Sequence, residues 1–184
     1  MGHHNTMSES IEMYLLRIAL LQQESQPVPV PKLAQELAVS PVSANEMCRK
    51  LTEKELLTYE PYKGVQLTAS GEAMARRVIR HRRLWEVFFV DRLGLQPAEA
   101  EEIACRFEHV TPDSLADRLD EFLEHPSYSP QHEPIPAGRG EAPAPATLPL
   151  TSLAAGGQAT IAQLNIDAAA AGFLQQQGLQ PGAR

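Results

Sequence analysis

The chain has 184 residues, a formal net charge of −7 and two cysteines. This length allows one or two compact domains. Two cysteines are too few for a disulfide framework, and this usage is typical of a reducing compartment such as the cytoplasm. Because no apolar run could span a membrane and the first residues have no apolar signal core, composition argues against a membrane or secreted protein.

The charge is unevenly distributed along the chain. Residues 1–80 carry equal numbers of acidic and basic side chains, whereas residues 81–139 carry twelve Asp/Glu against six Lys/Arg. The overall acidity counts against a generic nucleic-acid binder, but it leaves the first segment free to meet phosphate.

The first segment, residues 1–76, has the pattern of a winged helix-turn-helix. Ser8 or Ser10 can cap a first helix with apolar residues at helical spacing, and "QPVPVP" ends it. The helix "KLAQELA" is separated by a tight turn from "VSANEMCRKLTEKEL", which predicts a DNA-binding pair with the second helix as the reader. Two short strands around Tyr62, Lys63 and Gly64 predict the wing.

The second segment, residues 77–139, is predicted to be a helical domain. Thr68 or Ser70 begins a long helix that ends at Gly94. Pro97 begins the next helix, and Pro112 stands at the first position of another. The Pro/Ala/Gly-rich residues 140–147 predict a linker. Residues 148–184 contain too few strands to close a core, so we expect a mainly α protein with an incomplete C-terminal module.

The stretch "EEIACRFEHV", residues 101–110, combines a thiol, carboxylates and an imidazole. On a continuous helix, Glu101, Cys105, Glu108 and His109 would share one face beside an apolar face that packs into the core. Such side chains can bind one divalent transition ion. A buried structural cysteine beside a solvated Glu/His pair is an equally ordinary arrangement, so the spacing leaves both interpretations open.

Several motifs together resemble the diphtheria toxin repressor family of metal-dependent transcription regulators. They are "IEMYLLRI", "SPVSANEMCRKL", "GVQLTASGE", "ACRFEHV" and "PIPAG", which occur in the family's order and spacing from about residue 9 to residue 138. The resemblance implies an N-terminal winged helix-turn-helix and a helical domain for dimerisation and metal binding. The last 37 residues resemble the opening of an SH3-like (FeoA-like) module and stop where its later strands should begin.

The resemblance implies a primary metal site formed by Met13, Cys105, Glu108 and His109. A manganese-selective branch resembles this chain but has carboxylates at the positions of Met13, Leu16 and Cys105. Because sulfur ligands favour iron(II) and later metals over manganese(II), the expected metal is Fe2+. Mn2+ remains the alternative, and Co2+, Ni2+ or Zn2+ can substitute.

The family's ancillary metal site matches this chain only in part. Its positions correspond to Arg82, Glu86 and Glu101, and His81 stands one residue too early on the helix, about 100° from the matching place. We expect the guanidinium of Arg82 to replace the ion. The alternative is an ancillary site rebuilt from His81, Glu86 and Glu101.

The reader helix and the wing supply the expected contacts with operator DNA. Ser40, Ser43 and Glu46 lie near the helix end that meets base edges, and Arg49, Lys50 and Lys63 can reach phosphates. Relatives often have Gln at the position of Glu46. A Glu can accept from cytosine but cannot form the paired contact with adenine, so the operator is expected to differ. A surface charge without a base contact is the alternative.

Together these features predict an iron-activated repressor that binds a palindromic operator as a homodimer through Leu84, Phe88 and Phe89. The alternatives are a manganese sensor of the same fold, a metal-dependent enzyme with Cys105 as nucleophile, and a winged-helix scaffold without a metal. The sequence has neither a Ser/His/Asp set nor a Gly-rich phosphate loop, so we expect no small-molecule substrate.

Overall fold

The computed structural model describes residues 5–22, 25–138, 149–154 and 156–161, and isolated positions after residue 161. Contacts between Cα atoms divide the chain into two units. The first comprises Met1–His81 with Glu108–Val110, and the second comprises Arg82–Phe107 with Thr111–Arg184.

The fold is mainly helical with one small sheet, as the sequence predicts. The elements are α1 (Asn5–Leu21), α2 (Val30–Glu36), α3 (Pro41–Glu53), β1 (Leu57–Glu60), β2 (Gly64–Leu67), α4 (Ala69–Leu93), α5 (Pro97–Phe107), α6 (Asp113–Phe122) and a 3-10 turn (Leu150–Ser152). Among the described helices, none combines the length and the apolar character needed to cross a lipid bilayer.

The predicted helix boundaries are correct where a cap or a glycine fixes them. Thr68 caps α4, because its hydroxyl accepts a hydrogen bond from the Gly71 amide at 3.2 Å. Gly94, with a φ of 70°, follows the end of the same helix. Two predicted starts are wrong. Helix α1 already begins at Asn5, ahead of the predicted serine caps, and Pro112 stands at the N-cap position of α6, one residue before its first position, without a side-chain capping hydrogen bond.

Helix α5 ends before Glu108 and His109, although the predicted shared helical face requires the helix to continue through both residues. Its last residue is Phe107, and Glu108–Val110 form a turn that belongs to the first unit. The Thr111 hydroxyl donates to the Phe107 carbonyl at 2.6 Å, and Pro112 disfavours a helical conformation at Thr111. The prediction that Glu108 and His109 share a helical face with Glu101 and Cys105 is therefore wrong.

The core of the first unit lies between α1, α2, α3 and the wing. Leu15, Ile18, Leu33 and Leu51 are completely buried there, and Cys48 is buried among them. The apolar faces of the three helices thus close on one another, and the polar faces of α2 and α3 remain exposed. This packing orients α3 with its first turn in solvent.

The wing is an antiparallel hairpin attached to the core by Val28. Strands β1 and β2 pair from Leu57 opposite Leu67 to Glu60 opposite Gly64. Val28 exchanges two backbone hydrogen bonds of 2.9 Å with Val65. Gly64 has a φ of 139°, and a Cβ there would lie 2.1 Å from the Val28 carbonyl oxygen. Only glycine fits this approach.

The second unit is organised around an aromatic cluster. Trp85 contacts Phe88, Phe89 and Phe107 at centroid distances of 5.1 to 5.7 Å. Leu84 is completely buried and Phe89 nearly so within the chain itself. The prediction that Leu84 and Phe89 belong to the homodimer interface is wrong, because their side chains already complete the core of one chain. Phe88, the third residue of that prediction, is only half-buried and stays a candidate for the interface.

The C-terminal predictions fall mostly outside the described residues. The predicted linker, residues 140–147, lies outside them entirely, as do most of residues 162–184. The incomplete SH3-like module therefore stays a prediction.

Candidate metal centre and DNA-reading surface

His109 lies in the first unit between two buried carboxylates. Its Nδ1 is 2.8 Å from Oε2 of Glu12, and its Nε2 is 3.1 Å from Oε1 of Glu108. Hydrogen bonds that the His109 ring donates to Glu108 and Glu12 raise the pKa of His109 to about 9, although burial opposes the charge. At neutral pH the imidazolium donates to both carboxylates, so a metal ion at Nε2 has to displace a proton.

The turn that follows α5 positions the carboxylate of Glu108. Glu108 is only 2% exposed, and its backbone carbonyl accepts a hydrogen bond of 3.2 Å from Nδ1 of His81, which is also buried. A carbonyl can only accept, so Nδ1 of His81 is the donor. The turn is thereby fixed to α4, and the Glu108 side chain is directed towards His109.

Glu108 and His109 fit a shared transition ion as neighbouring ligands. Oε1 of Glu108 and Nε2 of His109 are 3.1 Å apart, so an oxygen and a nitrogen donor of the types that divalent transition ions accept are adjacent. However, within the described residues no three His, Cys, Asp or Glu side chains are grouped to hold a metal ion. The structure thus brings together one pair of the predicted ligands.

The two predicted sulfur ligands lie in different units. Met13 follows Glu12 on α1 in the first unit and is 43% exposed. Cys105 lies on α5 in the second unit, is exposed, and has a sulfur 2.9 Å from Nη2 of Arg82. Both side chains are exposed, and Cys105 is a free thiol.

The residues at the predicted ancillary site include a buried carboxylate with one unsatisfied oxygen. Glu86 is buried, and its Oε2 has no hydrogen-bond partner among the described residues. Burial raises the pKa of Glu86 to about 7, with Arg82 lowering it and Glu101 raising it further. Arg82 and Glu101 therefore lie within electrostatic reach of Glu86 in the second unit.

The residues predicted to contact DNA all have exposed side chains. Ser40 caps α3 by accepting from the Ser43 amide at 3.0 Å, and the first turn of the helix is exposed. The side chains at all six predicted contact positions are exposed, namely Ser40, Ser43, Glu46, Arg49, Lys50 and Lys63. Lys63 pairs with Glu60 across the wing turn at 2.8 Å, an exposed pair that is easily exchanged for phosphate.

Two residues near these sites are not identified by the sequence analysis. Glu12 contacts His109, and Val42 is largely exposed on the first turn of α3. Val42 has a detectable signal, because an apolar residue next to the helix cap lies away from the buried stripe. No local signal identifies Glu12, whose partner is 97 residues away in sequence.

Two family models match consecutive parts of the chain. Residues 6–65 match the model of the iron dependent repressor N-terminal DNA binding domain. Residues 68–137 match the model of the iron dependent repressor metal binding and dimerisation domain. The chain belongs to the iron-dependent repressor family. The winged helix and the helical domain thus match the two modules of the iron-dependent repressor family, and the predicted resemblance is confirmed.

Relatives of known sequence differ in the length that they share with this chain. An uncharacterised HTH-type transcriptional regulator of Methanocaldococcus jannaschii is 36% identical over 119 residues, which cover 64% of this chain and 95% of the relative. The diphtheria toxin repressor of Corynebacterium jeikeium is 34% identical, with 70% of this chain and 53% of the relative covered. This chain therefore spans about half the length of the corynebacterial relative.

Solved structures of similar fold include proteins whose names or bound ions refer to metals other than iron. A manganese-dependent transcriptional repressor in complex with manganese is 30% identical and covers 94% of this chain and 80% of its own, with a TM-score of 0.69. ScaR with bound Cd2+ has the same identity and a TM-score of 0.66, covering 94% of this chain and 81% of its own. The matched family models name iron-dependent repressors, whereas the first of these solved structures is a manganese-dependent repressor.

Proposed function

We propose that this protein is an Fe2+-activated transcriptional repressor of genes for metal homeostasis. The observation that carries the proposal is the adjacent pair of Glu108 and His109 donors in a chain that also has a winged-helix module. The ion itself would supply a positive charge and a fixed coordination geometry. The relatives act as repressors, so we further propose a regulator of the cytoplasm without enzymatic activity, membrane partner or small-molecule substrate.

The proposed primary ligands are Met13, Cys105, Glu108 and His109. The assignment of the sulfur atoms rests on the family resemblance, and their exposure is compatible with binding. Two sulfur ligands favour Fe2+, and also Co2+, Ni2+ or Zn2+ as substitutes, over Mn2+. The alternative metal is Mn2+, which is favoured by the 30% identity to a manganese-dependent repressor.

Metal binding would act on DNA affinity by linkage. An ion shifts the protein between conformations only through its different affinity for each of them. The coupling is reciprocal, so operator DNA should tighten metal binding by the same factor. We therefore propose that iron increases operator affinity and that iron depletion releases the promoter.

The ancillary site is proposed to hold the guanidinium of Arg82 in place of an ion. The electrostatic effect of Arg82 on Glu86 supports this assignment. A rebuilt site with His81, Glu86 and Glu101 remains the alternative, although Nδ1 of His81 already donates to Glu108. Titration of the reduced protein with Fe2+ tests the two. One tight equivalent per chain supports the guanidinium, and two tight equivalents contradict it.

Operator recognition is proposed to use the exposed first turn of α3 and the wing. Ser40, Ser43 and Glu46 would meet base edges, and Arg49, Lys50 and Lys63 would meet phosphates. We expect Glu46→Gln to change the preferred base at one operator position from cytosine towards adenine. In contrast, Lys50→Ala should weaken binding to all sequences and reduce the salt slope by about one.

A homodimer on a palindromic operator is the proposed assembly. With Leu84 and Phe89 buried, the interface is reassigned to exposed apolar side chains of the second unit: Leu93, Phe107, Leu115 and Phe122. The ring of Phe107 contacts Trp85, and the ring of Phe122 contacts Phe88. Phe122→Asp should shift the protein towards monomer in sedimentation, whereas Tyr62→Asp on the wing should not.

Metal-dependent DNA binding is the decisive experiment. Fluorescence anisotropy with the protein's own promoter fragment, under anaerobic reduction, should show binding with Fe2+ and its loss with EDTA. Combining Met13→Ala with Cys105→Ala should abolish the iron response, and Glu102→Gln, an exposed carboxylate on the same helix, should leave it intact. An unchanged response in the double variant rules out the sulfur ligands, and metal-independent binding indicates a plain scaffold. Absence of DNA binding both with Fe2+ and with EDTA supports the alternative of an enzymatic role for Cys105.

Replacing both sulfur ligands by carboxylates tests the choice of metal. Met13→Asp with Cys105→Glu should move the preference from Fe2+ to Mn2+ at equal free concentrations. If the unmodified protein already responds to Mn2+ at lower free concentration than to Fe2+, the manganese alternative is correct.

A further inference from the structure

Glu12 uses both of its carboxylate oxygens inside the first unit. Its side chain is buried, with 4% exposure. Oε1 accepts from Nη2 of Arg77 on α4 at 2.6 Å, and Oε2 accepts from Nδ1 of His109 at 2.8 Å. A buried carboxylate is costly unless it is paired and hydrogen-bonded. Both conditions are met here, so the carboxylate is held in a fixed position between α4 and the turn after α5.

The contact between Glu12 and His109 determines which ring nitrogen remains for a ligand. Nδ1 and Nε2 lie on different sides of the imidazole, and each can make only one in-plane bond. Nδ1 faces Glu12, whereas Nε2 faces Oε1 of Glu108 at 3.1 Å. Glu12 therefore contacts the ring on the side away from the ligand carboxylate. It is placed to orient the ring and not to join Glu108 on the same ion.

We propose that Glu12 is the positioning residue of the metal centre. It accepts the Nδ1 proton of His109, which fixes the tautomer, turns Nε2 towards the ion and increases the basicity of the ring. This inference rests on the proposed function, because it needs a metal at Glu108 and His109. A histidine ligand commonly donates its second N–H to a carboxylate or carbonyl, and loss of that partner weakens metal binding about 10- to 100-fold.

The position of Glu12 on α1 gives the arrangement a second consequence. Glu12 directly precedes Met13, and consecutive residues of a helix are about 100° apart around its axis. Glu12 is buried while Met13 is 43% exposed, so the two side chains leave α1 in different directions. One helix thus presents both a candidate sulfur ligand and the acceptor that orients a nitrogen ligand. A movement of α1 would alter both at once.

Metal affinity tests this inference. Competition with a chromophoric chelator gives the affinity for Zn2+ and Co2+ in the reduced protein. Glu12→Ala should lower it about 10- to 100-fold. Glu12→Gln should lower it less, because the amide oxygen still accepts from Nδ1–H although the charge is lost. Glu72→Gln, an exposed carboxylate on α4, is the matched control and should bind as the unmodified protein does.

Nitrogen-15 NMR of His109 separates positioning from a purely structural role. With Zn2+ bound, the unmodified protein should show a protonated Nδ1 in slow exchange and a metal-bound Nε2. Glu12→Ala should expose Nδ1–H to fast exchange, with partial rescue in Glu12→Gln. If Glu12→Ala does not fold, Glu12→Gln carries the test and must still show both a weaker affinity and faster Nδ1–H exchange.

The possible failures are distinguishable. If the unmodified protein binds no metal, the proposed function falls together with this inference. If it binds but His109→Ala binds equally well, the ligand assignment is wrong and the positioning role with it. If His109→Ala loses the metal while the Glu12 variants keep unchanged affinity and Nδ1 exchange, only the positioning role of Glu12 is overturned.

Discussion

Replacing Gly64 by alanine should detach the wing from the core of the first unit. A Cβ at this position would lie 2.1 Å from the carbonyl oxygen of Val28, so the backbone has to move. The movement breaks the two hydrogen bonds between Val28 and Val65, worth ~1 kcal/mol each. The φ of 139° adds strain of about 2 kcal/mol for a residue with a Cβ. The expected loss of stability is therefore about 4 kcal/mol.

Gly94→Ala is the matched control for this prediction. Gly94 also has a positive φ, of 70°, but a Cβ there would meet nothing within 4 Å. Only the conformational cost applies, about 1 to 2 kcal/mol. Urea denaturation followed by circular dichroism gives both values, and hydrogen exchange at the Val65 amide reports the wing directly. The reasoning is refuted if Gly64→Ala costs no more than Gly94→Ala, or if the Val65 amide stays equally protected.

Three further predictions follow from burial and charge. Burial raises the pKa of Glu86 from 4.5 to about 7. In EDTA, the free energy of unfolding should therefore fall by about 3 kcal/mol between pH 4.5 and 7, because the buried carboxyl ionises less readily than in the unfolded chain. In urea titrations Glu86→Gln should remove this fall, and Glu102→Gln should not. Burial raises the pKa of the Cys48 thiol to about 11. Iodoacetamide at pH 8 should therefore label exposed Cys105 in the folded protein and Cys48 only after unfolding, as measured by mass spectrometry. Equal labelling of both cysteines in the folded protein would contradict the packing of α3. Leu51→Ala should cost about 2 to 5 kcal/mol in thermal or urea unfolding, whereas Val42→Ala, on an exposed side of the same helix, should change stability by less than about 0.5 kcal/mol.

Local chemistry explains which parts of the fold the sequence predicts. The start of α4 follows from the Thr68 hydroxyl, its end from Gly94, and the wing turn from the run that ends at Gly64. Each of these signals acts within a few residues of the chain. The early start of α1 was missed, because a serine within a helix carries the same pattern as a serine that caps one.

The candidate metal site was predictable in its residue types and not in its arrangement. The motif at residues 101–110 identifies Glu108 and His109, and they are adjacent. Helical periodicity placed them on the face of Glu101 and Cys105, but α5 ends at Phe107. A periodicity argument assumes that the helix continues, and here the Thr111 hydroxyl and Pro112 end it.

By itself the sequence determined the helical composition, the order of the modules and the family, because these depend on short patterns and their spacing. Only the tertiary structure decided that Leu84 is core and not interface, and that Glu12 accepts a hydrogen bond from His109. These outcomes depend on which side of each helix meets the rest of the chain. The packing of the whole core determines which side of each helix is buried. No local sequence pattern indicates a contact between two residues that are 97 positions apart.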